Sequence, residues 1–336
     1  MSEQNSRDAA VTRVLITGAG GFVGRHLLRH LLALQEPVEI TATVAPGGAT
    51  DLDLSAFLPA DRTRPAPIAV RELDIRDAPA VAQVLIDAQP DQIYHLAARA
   101  SGAETDRETI FAVNVEGTRN VLEAAARLSP FPRVLVVSTG YVYGETDPQR
   151  PARETDPIGP LWKYGPYTDS KIEMESVARS YRGFVLIARP FAHTGPEQQP
   201  RFAVPSFARQ LARIERGLDP PEIPVGNLDV QRDLLDVRDV VRAYQLMMRH
   251  GSPGEIYNVA LGSPIRMADA LDYLRALCNT STRVRVDTER LRPTDILCST
   301  GDPFALRART GWQPHYTLQD TLRDTLNYWR QIVALC

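Results

Sequence analysis

Cysteine is scarce in this sequence, and its three copies lie far apart in the chain. They are Cys278, Cys298 and Cys336. Widely separated cysteines form neither the disulfide framework of a small secreted domain nor the paired spacing of a structural zinc site. Histidine and carboxylate residues show no ligand-like clustering either. We therefore expect reduced cysteines, a cytoplasmic location and no bound metal.

Long apolar runs and an excess of positive charge are missing as well. No run approaches the roughly 20 apolar residues that cross a bilayer, and residues 1–12 are polar, without the apolar centre of a signal peptide. The formal net charge is -3 at pH 7, whereas a dedicated nucleic-acid-binding domain is usually basic. These absences predict a protein whose partner is neither a membrane nor a nucleic acid.

Lysine is the rarest of the charged residues. Of 38 basic residues, only Lys163 and Lys171 are lysine. A lysine ammonium is a compact point charge, whereas the arginine guanidinium is a wide planar fork. A chain so strongly biased toward arginine keeps lysine either where arginine cannot serve or by accident, and the context of each lysine decides between the two.

The most informative stretch lies near the start of the chain, where a short apolar run meets a glycine-rich turn. Residues 14–17 predict a buried strand, and apolar residues at helical spacing follow the glycines. Gly18 would permit the turn, Gly21 would admit a pyrophosphate, and Gly24 would let the helix pack closely on the strand. The helix N-terminus would then offer unpaired N–H donors to the anion. The stretch predicts a dinucleotide site, with a plain glycine-rich turn as the alternative.

Strands and helices alternate after this stretch. Further strands are predicted near 38–44, 68–73, 92–98, 133–138 and 184–190, and helices near 78–88 and 109–128. Such alternation is typical of an α/β protein with a parallel sheet covered on both faces. Residues 12–190 are therefore predicted to form a Rossmann-type, doubly wound dinucleotide-binding domain that carries the catalytic residues. Residues 45–67 are predicted to be irregular, with one helical turn at 54–58.

The second half of the chain has a different pattern of short mixed elements. Helices are predicted at 202–216, 237–249, 267–278 and 318–333, with short strands at 222–225 and 255–259. This pattern indicates a smaller α/β lobe packed over the ligand crevice of the sheet. We assign residues 191–336 mostly to a substrate-binding lobe, with some chain returning to the Rossmann domain.

The end of the predicted second strand bears on the choice of cofactor. An acidic residue at this position would bind the adenosine ribose hydroxyls of NAD. The strand instead ends in residues 42–45, which include Thr43 and no carboxylate. No arginine stands there to bind a 2′-phosphate. The sequence thus favours NADP(H) weakly and leaves NAD(H) open.

Tyr167 and Lys171 form the second informative pattern. A chain with eleven tyrosines and two lysines is expected to contain only about 0.07 Tyr-x-x-x-Lys pairs by chance. Helical spacing puts both side chains on one face, about one turn apart. A phenol with a pKa near ~10 is a poor acid–base group at neutral pH, and a nearby ammonium lowers that pKa. We therefore expect an acid–base pair, against the alternative of a helix-surface contact.

Together, these motifs resemble the extended short-chain dehydrogenase/reductases. The resemblance rests on the glycine loop, Asp74, the Tyr–Lys pair and segments 95–98, 114–118 and 137–144. Segments 188–196, 225–239, 291–295 and 310–314 narrow it to nucleotide-sugar enzymes. They look most like the GDP-4-dehydro-6-deoxy-D-mannose reductases, with the GDP-mannose 4,6-dehydratases next. The resemblance covers nearly the whole chain.

The resemblance implies a role for each motif residue. Tyr167 would be the acid–base group, Lys171 would tune it and bind the nicotinamide ribose, and Thr139 would hydrogen-bond the same substrate oxygen. The implied cofactor-binding residues are Gly18, Gly20, Gly21, Phe22, Val23, Gly24, Thr43, Asp74, Ile75, Leu96, Ala97, Ala98, Asn114, Tyr167, Lys171, Pro190 and His193. The implied nucleotide-sugar-binding residues are Thr139, Tyr141, Ala192, Val204, Arg209, Asn227, Arg232, Arg292 and Asp295. A homodimer through helices near 110–128 and 167–182 is also implied.

Two positions depart from the pattern of the family. Ala192 stands where an asparagine is usual, which leaves the exact sugar nucleotide open, and Tyr141 stands where an acidic residue is usual. A 4,6-dehydratase needs an acid–base pair beyond the tyrosine, and Gly140 and Tyr141 occupy the positions of its carboxylates. We therefore predict NAD(P)H-dependent reduction of the C4 ketone of a nucleotide-diphospho-4-keto-6-deoxyhexose, with GDP-4-dehydro-6-deoxy-D-mannose as the first candidate.

Three other interpretations stay open. A nucleotide-sugar 4-epimerase needs the same tyrosine, lysine and threonine together with tightly held NAD, and a 4,6-dehydratase is the second enzymatic alternative. Because a fold does not fix a function, a non-catalytic NADP-binding regulator is an alternative of another class. The intact Tyr167 and Lys171 favour an enzyme.

Overall fold

The computed structural model describes residues 11–34, 36–48, 68–99, 106–161, 163–291 and 296–335. Its strands are β1 Thr12–Thr17, β2 Val38–Val44, β3 Ile68–Glu72, β4 Gln92–His95, β5 Arg133–Val137, β6 Val185–Pro190, β7 His193–Thr194, β8 Glu222–Val225, β9 Gln231–Arg232, β10 Leu235–Asp236, β11 Ile256–Val259, β12 Ile265–Arg266, β13 Arg283–Val286 and β14 Cys298–Ser299. Its α-helices are α1 Phe22–Ala33, α2 Ala78–Ala88, α3 Arg107–Phe111, α4 Gly117–Ala126, α5 Pro166–Ser180, α6 Ala203–Glu215, α7 Val237–His250, α8 Met267–Ala276, α9 Phe304–Thr310 and α10 Leu318–Ala334. The helical turn predicted at 54–58 lies outside the described residues.

The main sheet has seven strands in the order β11-β6-β5-β4-β1-β2-β3. Every neighbouring pair in it is parallel. The strand order reverses at β1, since the chain proceeds outward from β1 to β3 on one side and from β4 to β6 on the other. This is the doubly wound α/β arrangement that the alternation of elements predicted. Ligands of such sheets bind at the carboxyl ends of the strands around the switch point.

Alternate side chains of the strands enter two separate cores, one on each face of the sheet. Val14 and Ile16 of β1 pack with α1 and α7. Leu15, between them, packs with α2, α4 and α5. Because both faces are covered by helices, the strands consist of nearly continuous apolar runs.

The smaller lobe has a core of its own. Helices α6, α8 and α10 pack around β8, and Leu322, Leu326 and Ala208 are fully buried between them. Beside this core, β8 pairs with β13, and β9 lies between β12 and β14. The lobe therefore contributes a second wall beyond the carboxyl ends of the main strands.

Two predicted elements differ in detail from the structure. The helix predicted at 109–128 is divided, because a π-helical turn at Ala112–Glu116 separates α3 from α4. The strand predicted at 255–259 does not belong with the elements of the smaller lobe, because β11 is the edge strand of the main sheet, paired with β6. Its residues are buried because α7 and α9 return to the Rossmann half and cover it. None of the described helices is both long and apolar enough to span a membrane.

A buried ion pair ties helix α5 to strand β6. Glu175 and Arg189 have side chains that are 2% and 1% exposed, and their carboxylate and guanidinium form two hydrogen bonds of 2.6 and 2.9 Å. Arg189 also donates to the hydroxyl of Tyr143 at 2.7 Å. Arg179 contacts the same carboxylate at 3.0 Å from the surface. Because both charges are buried, the loss of either would leave the other without a counter-charge in the interior of the protein.

We expect Glu175→Gln to destabilise the fold by about 3–5 kcal/mol, because it leaves the Arg189 charge buried and without its counter-charge. Arg179→Gln removes the half-exposed partner of the same carboxylate and should cost less than about 1 kcal/mol. Urea denaturation of both variants measures the difference. A Glu175→Gln loss no larger than that of Arg179→Gln would show that the buried pair does not hold the two elements together.

Candidate active site

A deep cleft of about 1350 Å³ opens at the carboxyl ends of the main strands. One wall comes from the glycine turn, the start of α1 and the ends of β4, β5 and β6. The opposite wall comes from the smaller lobe, chiefly the start of α6 and residues 225–234. The cleft is therefore bounded by the dinucleotide-binding half on one side and by the lobe on the other.

The glycine turn is packed too tightly for any side chain at two of its positions. Gly18 has φ 72°, and a Cβ there would lie 2.8 Å from the Cα of Ala97. At Gly24, a Cβ would lie 2.4 Å from the carbonyl oxygen of Gly18. Helix α1 begins at Phe22 without a side chain capping its first N–H groups. These free donors, beside a turn made mostly of glycine, fit the pyrophosphate of a dinucleotide.

The three predicted catalytic residues converge at the middle of the cleft. Thr139 follows β5, while Tyr167 and Lys171 lie one turn apart on α5, and all three line the cleft. The Nζ atom of Lys171 is 6.0 Å from the centre of the Tyr167 ring and donates a hydrogen bond of 2.8 Å to the carbonyl of Val137. Thr139 accepts from the backbone N–H of Tyr141 at 3.3 Å. The arrangement places a phenol, an ammonium and a hydroxyl around one point.

Burial, rather than the neighbouring ammonium, dominates the titration of this pair. It raises the pKa of Tyr167 to about 12, although an interaction with the Thr139 side chain opposes the shift. It also lowers the pKa of Lys171 to about 8, with the charge of Glu175 acting in the opposite direction. The shift of the Tyr167 pKa is opposite in direction to the one expected from a neighbouring ammonium, because desolvation is its largest cause in the protein without ligands. Tyr167 is protonated at neutral pH and is set up as a proton donor.

Most of the predicted cofactor residues lie along the cleft. Those that line it are Gly18, Gly20, Gly21, Phe22, Val23, Gly24, Leu96, Ala98, Tyr167, Lys171, Pro190 and His193. The rings of Phe22 and His193 stack 6.2 Å apart, which joins the start of α1 to the segment after β6. The predicted binding surface is thus continuous from the glycine turn to the catalytic residues.

Five predicted cofactor residues do not line the cleft. Thr43 is buried in β2, and Ala97 lies behind the turn, packed against Gly18. Ile75 is buried against Gly117. Asp74 is paired with Arg76, which holds the pKa of its carboxyl below the ordinary value.

Asn114 is the fifth of these residues. Its side chain lies in the π-helical turn, accepts from the backbone N–H of Arg99 at 2.8 Å and donates to the Ser170 hydroxyl at 2.9 Å. It therefore links the segment after β4 to helix α5 and supports the cleft from outside. A π-helical turn at such a junction is typical of functional regions.

The predicted substrate residues divide into three groups. Thr139, Tyr141, Ala192, Val204, Asn227 and Arg232 line the cleft. The guanidinium of Arg232 lies 6.0 Å from the centre of the Tyr141 ring. Arg209 is exposed and lies near Trp329, outside the cleft. Arg292 and Asp295 are outside the described residues.

Several charged residues of the cleft were not predicted. They are Arg25, Arg29, Arg99, Glu197, Arg201, Glu289 and Arg290. Arg25 donates to the carbonyl of Gly20 at 3.0 Å, and its position directly after Gly24 was a usable signal. The others carry no local signal, because arginine is too common in this chain for any single one to stand out. Their side chains give the cleft a basic character that suits phosphate groups.

This fold and cleft define the class of the protein as an extended short-chain dehydrogenase/reductase. The model of the family described as GDP-mannose 4,6 dehydratase matches residues 15–325. The chain belongs to this family, and it is an NAD(P)-dependent enzyme of the nucleotide-sugar group.

Individual relatives carry more than one reaction name. The chain is 30% identical over 328 residues to the GDP-6-deoxy-D-mannose reductase of Pseudomonas aeruginosa, covering 96% of this chain and 98% of the relative. The solved structure of RMD from Pseudomonas aeruginosa with NADPH has a TM-score of 0.79 at 30% identity and covers 96% of this chain and 100% of its own. The UDP-glucose 4-epimerase of Thermus thermophilus with NAD has a TM-score of 0.78 at 28% identity, covering 95% and 99%.

The shifted pKa of Lys171 makes a prediction about stability. The ordinary lysine pKa of 10.5 falls to about 8 in the folded protein. Between these pH values the unfolded chain binds more protons than the folded one, so the free energy of unfolding should rise with pH by an amount on the order of 2–3 kcal/mol. Lys171→Met should remove this rise, as measured by urea denaturation at pH 7.5 and 10. Lys163→Met, which alters the exposed lysine, is the matched control and should keep it. Equal pH profiles for the Lys171→Met and Lys163→Met variants would contradict the assignment.

Proposed function

We propose that this enzyme reduces the C4 ketone of a nucleotide-diphospho-4-keto-6-deoxyhexose, with GDP-4-dehydro-6-deoxy-D-mannose as the first candidate. The observation that carries the proposal is the scarcity of carboxylates in the cleft. Among the described lining residues, only Glu197 and Glu289 are acidic. Dehydration across C5 and C6 needs an acid–base pair in addition to the tyrosine. Ketone reduction needs one hydride and one proton.

The segment after Thr139 cannot supply the missing acid. Gly140 has no room for a side chain, since a Cβ there would lie 2.7 Å from the ring of Phe191. Tyr141 follows, and its phenol ring lies beside Arg232 and carries no carboxylate. Glu197 belongs to the loop before α6 and pairs with Arg29 at 2.5 Å. The site therefore supports simple reduction better than dehydration.

Each of the three residues Tyr167, Thr139 and Lys171 has a different role in the proposed reduction. A bound nicotinamide dinucleotide supplies the hydride. Tyr167 donates its hydroxyl proton to the C4 oxygen as that oxygen gains charge, which its protonated state at neutral pH allows. Thr139 hydrogen-bonds the same oxygen and orients the ketone. Lys171 stabilises the phenolate that remains and binds the nicotinamide ribose.

Basic residues on the lobe side of the cleft suit the diphosphate of the substrate. Arg232 lies on β9, and Arg201 and Arg290 line the same wall. Planar guanidinium groups bind phosphate oxygens through two parallel hydrogen bonds. We propose that Arg232, with Arg292, holds the diphosphate, so that its loss weakens substrate binding more than cofactor binding.

For the cofactor, we propose that NADPH is bound at least as well as NADH. No acidic side chain at the end of β2 repels a 2′-phosphate, and Arg25 and Arg29 lie in the cleft beside the glycine turn. A similar protein was solved with NADPH, which supports this preference. The similar epimerase was solved with NAD, so both cofactors are compared in a binding assay.

We also propose a homodimer formed through the face of α3, α4 and α5. These helices lie side by side on one face of the main sheet. The resemblance to the family points to the same surface.

The reaction is tested with NADPH that carries deuterium at C4 of the nicotinamide, in place of the hydride that is transferred. One deuterium should appear at C4 of the sugar, with one cofactor oxidised per turnover and no solvent deuterium gained at C5 beyond background exchange. GDP-mannose, which has no ketone, is the control substrate and should not be turned over. Release of water from it would favour the dehydratase, and inversion at C4 without net cofactor oxidation would favour the epimerase.

Tyr167→Phe should lower turnover on the order of 10²–10⁴-fold, because it removes the proton donor while keeping the ring. Cofactor affinity and folding should change little. Tyr181→Phe, at the other end of α5, is the control and should keep full activity. Turnover measured with a 4-keto-6-deoxysugar nucleotide decides the matter, and near-normal activity of Tyr167→Phe would remove the role of Tyr167 as the acid.

A further inference from the structure

One carboxylate of the cleft has no role in the proposed reduction. Glu289 lies in the short 3₁₀ turn Thr288–Arg290, and its exposed side chain lines the cleft. The carboxylate forms no hydrogen bond or ion pair with any residue that the structure describes. Glu197, the other acidic residue among the described lining, is instead paired with Arg29. The Glu289 carboxylate is therefore accessible from the cleft and available to a ligand.

The turn that carries Glu289 is held against the end of β8. The backbone N–H of Asp287 donates to the carbonyl of Val225 at 2.8 Å, and the Asp287 side chain accepts from the N–H of Glu289 at 3.2 Å. At Gly226, a Cβ would lie 2.8 Å from the carbonyl oxygen of Arg290, so the two segments touch through their backbones. This packing fixes Glu289 beside the part of the lobe wall that follows β8.

Asn227 supplies a hydrogen-bond donor in that part of the wall. Its Oδ1 accepts from the backbone N–H of Asp229 at 3.0 Å, which orients the amide. The Nδ2 hydrogens have no partner among the described residues, and the side chain lines the cleft. Val204 and Phe207 of α6 line the cleft with apolar side chains. The lobe wall thus presents an acceptor, a donor and an apolar surface.

A carboxylate acceptor beside an amide donor distinguishes between nucleobases. A carboxylate accepts two parallel hydrogen bonds, and guanine has two adjacent donors, N1–H and the 2-amino group, next to the O6 acceptor. Uracil and thymine have a single ring N–H between two carbonyl oxygens, which a carboxylate repels. Adenine has one amino group beside a ring nitrogen that is itself an acceptor. Guanine is therefore the base whose edge matches this wall.

We propose that the Glu289 carboxylate binds N1–H and the 2-amino group of a guanine, while the Asn227 amide donates to O6. The inference rests on the proposed function in taking a nucleotide sugar as the substrate, and it adds a residue that selects the base. Arg232, to which the proposed function gives the diphosphate, lies on the same wall. Glu289 determines specificity and takes no part in proton transfer.

Glu289→Gln tests the proposal by calorimetry with GDP, UDP and IDP, whose base is guanine without the 2-amino group. The wild-type protein should bind IDP about 5- to 10-fold more weakly than GDP, as expected for one lost hydrogen bond to a charged group. In Glu289→Gln, the dissociation constant of GDP should rise about 10-fold, and GDP and IDP should bind within about twofold of each other. UDP should bind equally well or more tightly, because a negative charge has left the cleft.

Asp269→Asn is the matched control, because it removes an equal charge from the same lobe outside the cleft. All three dissociation constants should stay at their wild-type values in this variant. Since Glu289 is exposed and unpaired, the thermal midpoint of Glu289→Gln should also stay unchanged. A loss of GDP affinity without a loss of UDP affinity then reports on the base and not on folding or on the diphosphate.

Three results would overturn the proposal. They are UDP binding as tight as GDP binding in the wild-type protein, an unchanged GDP dissociation constant in Glu289→Gln, and an equal change for GDP and IDP in that variant. If the wild-type protein bound none of the three nucleotides, the base assignment and the proposed function would fall together. Failure to reduce a bound 4-keto-6-deoxysugar nucleotide would refute the proposed reaction alone, since base selection is measured without turnover.

Discussion

The close contact between the glycine turn and its surroundings is the constraint on which the rest of the site depends. Gly24 lies against the carbonyl of Gly18, and Gly18 lies against the backbone of Ala97, so the first helix, the first strand and the end of β4 meet at distances that no side chain permits. This contact aims the uncapped N-terminus of α1 into the cleft. The shape of the cleft at the glycine turn is therefore set by backbone packing.

A buried polar chain completes this placement from the other side. Arg189 joins Glu175 of helix α5 to Tyr143, and Tyr143 donates to Asn258 of the edge strand. Helix α5, the turn after Thr139 and strand β11 are thus linked by buried charged and polar groups. Because interactions in such surroundings depend strongly on geometry, the elements cannot shift independently. The apolar cores hold the elements together, and these hydrogen-bonded side chains fix the orientation of the elements relative to one another.

Local signals in the sequence were enough for the elements and for the residues of the motifs. The bounds of β2, α2 and β8 match the prediction residue by residue, because apolar periodicity and turn residues coincide there. The membership of β11 in the main sheet depends on pairing with β6, about 70 residues earlier, and no local pattern encodes it. The direction of the Tyr167 shift was also missed, since spacing reveals a neighbouring charge but not the depth of burial. The expectation that Arg209 lines the cleft differs from the structure for a related reason. The packing of α6 on α10 turns the Arg209 side chain toward Trp329 and away from the cleft, and no local pattern in the sequence reveals that packing.

The return of the chain to the main sheet after it has formed part of the lobe affects how the protein could be divided. Helix α7 and strand β11 follow much of the lobe in sequence, yet they cover the first core and extend its sheet. A fragment that stops at residue 190 would contain the glycine turn, Thr139, Tyr167 and Lys171, but β6 would become a bare edge with unpaired N–H and C=O groups. Such an edge invites pairing with other chains. The Rossmann half therefore contains the site residues of the cleft but does not fold as a separate segment of the chain. A chimaera with a lobe from another protein would have to keep residues 237–259.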